Sequence, residues 1–266
     1  MQRNYRRSLI GTVASVSITC VGAFYAHADV DTVLAEKGKQ VYARYCVVCH
    51  GAQGDGKGLT GVIHRAQANG VVVTTYPRNF THGVFKFRST PTGSLPRDED
   101  LLHTVTTGIP RSGMPSHKDV PTEDRRAVIE YIKTFSGAWD GDAAPDPISL
   151  PPKPEYVGSK DSIDRGKGLW SDMGCYKCHG LTGRGNGPSS DTLVDNWNEK
   201  VLPFDFTSGP LKGGGGAEGI YRTFMTGLDG TPMPSFDEIM TEQQRWDLVS
   251  YCLELMKGES TDVAQR

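Results

Sequence analysis

The chain has 266 residues, with 29 Lys+Arg against 31 Asp+Glu, 37% hydrophobic and 23% charged residues, 32 Gly, 16 Pro and 6 Cys. That length suits one large domain or two small ones, and its ordinary charged and aromatic content excludes wholesale disorder. A formal net charge of −2 lacks the basic field of a general polyanion binder, so nucleic acid is not an expected partner; six cysteines are too few to staple a chain this long.

Residues 1–28 read as a secretory signal peptide. Arg3, Arg6 and Arg7 make a positive start, Leu9 to Phe24 is mostly apolar, and Ala26-His27-Ala28 offers a small-x-small cleavage site before Asp29. The alternative is an uncleaved anchor, but the apolar run is short for a membrane span. Cys20 lies inside this segment, and Ile18-Thr19 before it lacks the small residues of a lipid-attachment site. Cleavage removes three arginines and no acids, leaving 26 basic against 31 acidic residues. The mature protein is therefore expected in the periplasm, outside the cytoplasm.

The next periodic stretch, Ala35 to Tyr45, predicts a helix with Leu34, Val41 and Tyr42 at near-helical spacing, leading directly into Cys46-Val47-Val48-Cys49-His50 and a glycine-dense loop. The same order returns in the second half. A helix predicted over Asp164 to Met173 leads into Cys175-Tyr176-Lys177-Cys178-His179 and another glycine-dense loop. Each motif is preceded by Gly-Lys (38–39, 166–167) and an aromatic residue, Tyr42 or Trp170.

The correspondence continues downstream. Tyr76-Pro77-Arg78-Asn79-Phe80 pairs with Leu202-Pro203-Phe204-Asp205-Phe206, and TVTTGIPRSGMPS at 104–116 pairs with RTFMTGLDGTPMPS at 222–235. Short helices are predicted over Asp98 to Thr106 and Ala217 to Thr226, ending at Gly108 and Gly227. A last helix in each half begins at Thr122 and after Thr241; Ala127, Val128, Tyr131 and Ile132 line the first, Trp246, Val249, Leu253 and Met256 the second. Short strands are expected around Val71 to Val73 or Val84 to Phe87. Between the halves, Pro145, Pro147, Pro151, Pro152 and Pro154 predict a partly extended linker. The expected organisation is a signal peptide at 1–28, an N-terminal domain at 29–136, a Pro-rich linker at 137–160 and a C-terminal domain at 161–266.

Cys-x-x-Cys-His is a c-type haem attachment signature: both thiols can form thioethers to one haem, with the adjacent histidine beneath its iron. A thioredoxin-like pair would need a βαβ context, and zinc would need four ligands where neither half has a second cysteine pair. Two copies at matching positions of a repeat predict two covalently bound haem c groups, held by Cys46, Cys49 and His50 and by Cys175, Cys178 and His179. Met114 and Met233 sit in matching Met-Pro-Ser sequences, 64 and 54 residues after those histidines, and are the expected sixth ligands; a methionine in core packing is the alternative. Met225 faces Thr106 in the alignment, so it is assigned to core. His64, His82, His103 and His117 have no aligned partners; one of them replacing Met114 is the competing assignment. Cys252 reads as a buried inert thiol, with an intermolecular disulfide as the alternative.

On these residues the chain resembles a dihaem member of the class I cytochrome c family over most of 30–136 and 160–258. The resemblance implies an all-α fold of two tandem haem domains, in which first and last helices cross beside the haem. It implies His50 and His179 as proximal and Met114 and Met233 as distal ligands. It also implies a proline carbonyl on the proximal ring: Pro188 fits, whereas Leu59 stands at the equivalent point in the first half.

The resemblance further implies electron transfer between redox partners, periplasmic or membrane-associated, rather than enzymatic turnover. The alternatives are a cytochrome subunit bound to an oxidoreductase catalytic chain, and a dihaem peroxidase, which needs an open iron site. Phe85-Lys86-Phe87-Arg88 admits two readings: plain packing with solvated charges, or pairing of Arg78, Lys86 or Arg88 with haem propionates.

Overall fold

The computed structural model describes residues 30–66, 72–141 and 143–257; the signal-peptide segment lies outside them. The first half contains α1 (Thr32–Tyr45), α2 (Val47–His50), a hairpin of β1 (Ile63–Ala66) and β2 (Val72–Thr75), α3 (Asp98–Thr107) and α4 (Thr122–Lys133). The second contains α5 (Lys160–Asp172), α6 (Tyr176–His179), α7 (Gly216–Thr226) and α8 (Glu242–Lys257). The hairpin is antiparallel, with Ile63 opposite Thr75 and Ala66 opposite Val72. Among the described residues the architecture is all-α with this one small ribbon.

Helix ends follow their caps. α1 starts ahead of the periodic stretch because the Asp31 carboxylate accepts the Leu34 N–H at 2.9 Å. α5 starts four residues early because the Ser159 hydroxyl accepts from the Ser162 N–H. At α8, the Thr241 hydroxyl accepts the Gln244 N–H at 3.3 Å while the Gln244 side chain accepts the Thr241 N–H at 2.8 Å, a capping box. α3 and α7 stop where Gly108 and Gly227 turn to positive φ.

The core is also doubled. One cluster gathers Val41, Tyr42, Phe80, Leu101, Val128, Ile129 and Trp139; the other gathers Trp170, Phe206, Ile220, Tyr221, Phe224, Trp246 and Val249. α1 packs on α4 and α5 on α8. Each crossing is tight enough to require a glycine. A Cβ on Gly38 would stand 1.9 Å from the Ala127 carbonyl oxygen, and one on Gly166 would stand 2.0 Å from that of Asp247. Gly-Lys in the two repeats therefore marks the contact point of the crossing helices.

One strand expectation needs correction. Val84 to Phe87 is not a strand: it follows a left-handed turn at Gly83, and Phe85 packs on Phe80 and Trp139 instead of pairing edge to edge. The other strand expectation matches β2, which begins at Val72; residue 71 lies outside the described residues. Between Trp139 and Lys160 the described residues form no helix or strand. That segment is nonetheless docked, with the Ile148 N–H donating to the Ser89 carbonyl at 2.7 Å and Ile148, Leu150, Tyr156 and Val157 packing on the second core.

Gly166→Ala is expected to destabilise the holoprotein by about 1–3 kcal/mol, since the added methyl must push two backbones apart. Gly168→Ala, two residues along the same helix with nothing within 4 Å, is expected to be neutral or slightly stabilising. Guanidinium unfolding of the pair decides; equal midpoints would show that the crossing tolerates a side chain.

Candidate functional site

The two Cys-x-x-Cys-His segments are held by the same set of bonds. The Tyr42 hydroxyl donates to the Gly51 carbonyl at 2.8 Å, and the Trp170 indole N–H donates to the Gly180 carbonyl at 3.0 Å. The aromatic residue in front of each motif thus fixes the glycine behind it. The glycine loop then folds back over the motif helix. Gly56, Gly58 and Thr60 N–H groups donate to His50, Cys49 and Val48 carbonyls, while Gly185, Gly187 and Ser189 donate to His179, Cys178 and Lys177. A Cβ on Gly58 or Gly187 would lie 2.4 or 2.3 Å from a carbonyl oxygen of that helix, so the loop closes only with glycine there.

Both motif histidines have an anchored ring. His50 Nδ1 donates to the Arg78 carbonyl and His179 Nδ1 to the Phe204 carbonyl, each at 3.0 Å. A carbonyl oxygen only accepts, so Nδ1 carries the proton and Nε2 keeps its lone pair for a metal. Burial, the largest influence, lowers both histidine pKa values and favours that neutral ring. Phe80 stacks on His50 at 4.5 Å between ring centroids, whereas Phe206 meets His179 edge-on at 5.3 Å. Burial pushes the Cys46 thiol up to about 12 and that of Cys175 up to about 11.

These bonds correct the expectation for Pro188. Its loop is folded onto the motif helix, and the Pro203-Phe204 segment crosses beside the ring instead, presenting the Phe204 carbonyl. Arg78 does the same in the first half, where Leu59 is 94% exposed. Arg78 and Phe204 occupy equivalent positions in the aligned TYPRNF and VLPFDF segments, so both rings are anchored from the same point of the repeat.

The methionine segments are held by a second matching set of bonds. The Ile109 N–H donates to the Met114 carbonyl at 2.9 Å, and the Leu228 N–H to the Met233 carbonyl at 3.0 Å. The following serines tie the Met-Pro-Ser segments to the helix ends: Ser116 Oγ donates to the Thr106 carbonyl and Ser235 Oγ to the Met225 carbonyl. Met225 itself is buried in the second core.

Cys46, Cys49, His50, Met114, Cys175, Cys178, His179 and Met233 all line one continuous cavity of about 1710 Å³. Two thiols, an imidazole with a directed lone pair and a thioether in each half suit an iron porphyrin, and the volume exceeds that of a usual small-molecule pocket. Among the described residues, no three His, Cys, Asp or Glu side chains cluster to hold a metal as zinc would require.

Of the competing histidines, His82, His103 and His117 also line the cavity, His82 stacking on Trp197 and His117 meeting Tyr45 edge-on, whereas His64 pairs with the Thr74 hydroxyl at 3.0 Å. Cys252 is fully buried, and burial raises its thiol pKa well above the usual value.

The halves meet through a buried ion pair. Arg88 Nη2 lies 2.8 Å from Asp229 Oδ1 and donates at 2.8 Å to the Thr226 carbonyl, the last residue of α7. Asp229 also accepts from the Thr92 hydroxyl and the Gly93 N–H, both at 2.9 Å. The Arg88 side chain is 0% exposed, and its Nη1 is buried with no hydrogen-bond partner. Arg88 also lines the cavity, so its pairing with Asp229 through Nη2 leaves the propionate reading for it open. Arg111 adds a second crossing contact, bonding Ser208 and lying over the Phe204 ring at 5.0 Å.

The fold and the doubled cradle define a dihaem class I cytochrome c. Residues 163–255 match the family Cytochrome c, and residues 33–132 match Cytochrome C oxidase, cbb3-type, subunit III. Among solved structures, a chain of the Kuenenia stuttgartiensis reducing HAO-like protein complex Kustc0457/Kustc0458 is 39% identical, with a TM-score of 0.74. The match covers 83% of this chain and 96% of that one. No curated protein matches. The chain belongs to the cytochrome c family, and its two domains imply two covalently bound haem c groups with iron.

Asp229→Ala strands Arg88 as a buried unpaired cation and is expected to lower stability by about 3 kcal/mol, whereas the double variant Arg88→Met, Asp229→Leu is expected to recover most of that loss. Denaturant unfolding measures both. Superimposable curves for Asp229→Ala and the parent would show that this pair does not hold the halves together.

Proposed function

We propose that the protein is a periplasmic electron carrier, exported by the segment at 1–28, that passes electrons between redox partners without catalytic turnover. The proposed division is a domain at 29–136, a Pro-rich linker at 137–160 and a domain at 161–266. Cys46, Cys49, His50 and Met114 would hold one haem, and Cys175, Cys178, His179 and Met233 would hold the other. The observation that carries this reading is the arrival of all eight side chains at one cavity wall through two matching hydrogen-bond patterns. No helix among the described residues is long and apolar enough to cross a membrane.

When bound, haem supplies an iron that changes oxidation state by one electron. The chain's contribution is to hold ligands still and keep water away. The Arg78 and Phe204 carbonyls fix the histidine tautomers, and Ser116 and Ser235 fix the segments carrying the thioethers. A methionine held in each half would leave no open iron site for peroxide, which would separate a carrier from a dihaem peroxidase. A second reading, a cytochrome subunit of an oxidoreductase complex, is supported by the similarity to a chain from a reducing HAO-like complex. Co-purification with a catalytic chain distinguishes the subunit from a free shuttle.

The holoprotein is expected to show two low-spin haems with methionine-to-iron absorption and little carbon monoxide binding after reduction. Met114→Ala is expected to open one site, so that about one carbon monoxide binds per chain and the potential of that haem falls. A high-spin haem or ready carbon monoxide uptake in the unsubstituted protein would refute the Met114/Met233 assignment and make peroxide turnover the next assay.

A further inference from the structure

The backbone segments that anchor the two motif histidines are each held by contacts from both halves of the chain. One contact is with the glycine loop of the same half: a Cβ on Gly56 would stand 2.6 Å from the Pro77 carbonyl oxygen, and one on Gly185 would stand 2.7 Å from that of Pro203. The next residues, Arg78 and Phe204, present the carbonyls that His50 and His179 bond. Each of these two residues also meets the opposite half through its own side chain. The Arg78 guanidinium stands 5.8 Å from the ring centre of Trp197, and the Arg111 guanidinium 5.0 Å from that of Phe204. A cation–π pair thus crosses the junction in both directions, with cation and ring exchanged between the histidine-anchoring residue and its partner.

The partners are themselves tied to the methionine segments. Arg111 sits between Ile109 and Met114, which bond to each other, and it also donates to the Ser208 carbonyl and hydroxyl and, at 3.4 Å, to the Pro210 carbonyl. Trp197 lies on Gly230, which sits between the bonded pair Leu228 and Met233. A Cβ on Gly230 would be 2.7 Å from the indole ring, and the Gly230 carbonyl accepts the Asn196 N–H at 3.1 Å. Trp197 also stacks on His82 of the first half, with ring centroids 4.3 Å apart and planes 11° from parallel. In each direction, the methionine segment of one half reaches the residue that anchors the motif histidine of the other.

We propose that Arg111 and Trp197 are positioning residues that act across the junction: Arg111 fixes the Phe204 carbonyl for His179, and Trp197 fixes the Arg78 carbonyl for His50. Each half thereby tunes the haem of the other. An Nδ1–H bonded to a well-placed acceptor makes the imidazole a more basic ligand, which favours oxidised iron, so loosening the acceptor raises the midpoint potential. The inference rests on the proposed assignment of His50 and His179 as iron ligands.

The test is NMR of the reduced holoprotein, following the two Nδ1 protons, together with a redox titration of each haem. Trp197→Leu is expected to shift the His50 Nδ1 proton, speed its exchange with solvent and raise the potential of the first-half haem, leaving the His179 proton unmoved. Arg111→Leu is expected to do the same to His179 and the second-half haem. Loss of a cation by itself would lower that potential, so the sign separates positioning from charge. Trp197→Phe, which keeps a ring against Arg78, is expected to restore most of the parent signal. Thr92→Val removes a different bond between the halves, to Asp229, and is expected to leave both protons in place. Protons that do not move in either variant, or that move only in the substituted half, would overturn the crossed arrangement. So would a crystal structure of the unsubstituted holoprotein with Trp197 away from Arg78 or Arg111 away from Phe204, a result that needs no variant to fold. Failure of the ligand assignment reads differently: the ring protons of that histidine would lack the upfield ring-current shift of an iron-bound imidazole in the unsubstituted protein.

Discussion

In each half, a glycine lets the helix that leads into the haem motif lie with its backbone against that of the last helix. Gly38 meets the Ala127 carbonyl and Gly166 the Asp247 carbonyl at distances that leave no room for a side chain. A helical glycine weakens its helix by about 1 kcal/mol relative to alanine, so the close approach must return more in packing. Much else follows from that contact. α2 and α6 continue directly from α1 and α5, and Tyr42 and Trp170, one turn beyond the glycines, reach across to bond the far end of each motif. The location of the cysteines and histidines is therefore set by a helix crossing that touches none of them.

The halves share this framework and diverge in the chain laid over it. The segment from Phe80 to α3 is longer than its counterpart from Phe206 to α7, and the extra length carries Arg88, Thr92 and Gly93 across to Asp229. Asp229 lies just after α7, whose terminal carbonyl at Thr226 also takes an Arg88 N–H. A cation at a helix C-terminus is favoured by the helix dipole as well as by the carboxylate. The longer first half thus supplies a strap that fixes one haem cavity against the other, and the two open into a single space.

Helices and repeats were legible because their signals are local: apolar spacing, caps and terminal glycines act within a few residues. The doubled pattern also revealed the Met-Pro-Ser segments, which the structure brings to the same cavity as the attachment motifs. What was not legible depends on contacts distant in sequence. The carbonyls of Arg78 and Phe204 reach histidines 28 and 25 residues away, and a carbonyl leaves no mark in side-chain identity. Proline 188 was a plausible acceptor because it is conspicuous; the backbone beside the ring belongs to a less conspicuous residue. The Arg88–Asp229 pair spans the two halves, so internal comparison of the repeats could not reveal it.

The fate of Lys86 and Arg88 shows how much depends on backbone type. In a strand, residues two apart share a face, and the alternation of Phe85 and Phe87 with Lys86 and Arg88 would have sent both cations to one environment. The segment is irregular, so that rule lapses. Both line the cavity, Lys86 half-buried, whereas Arg88 is fully buried against the second half and paired with Asp229. One of the two cations is thus engaged in holding the halves together. The same short stretch thereby joins the two halves and adds charge to the wall of the cavity they share.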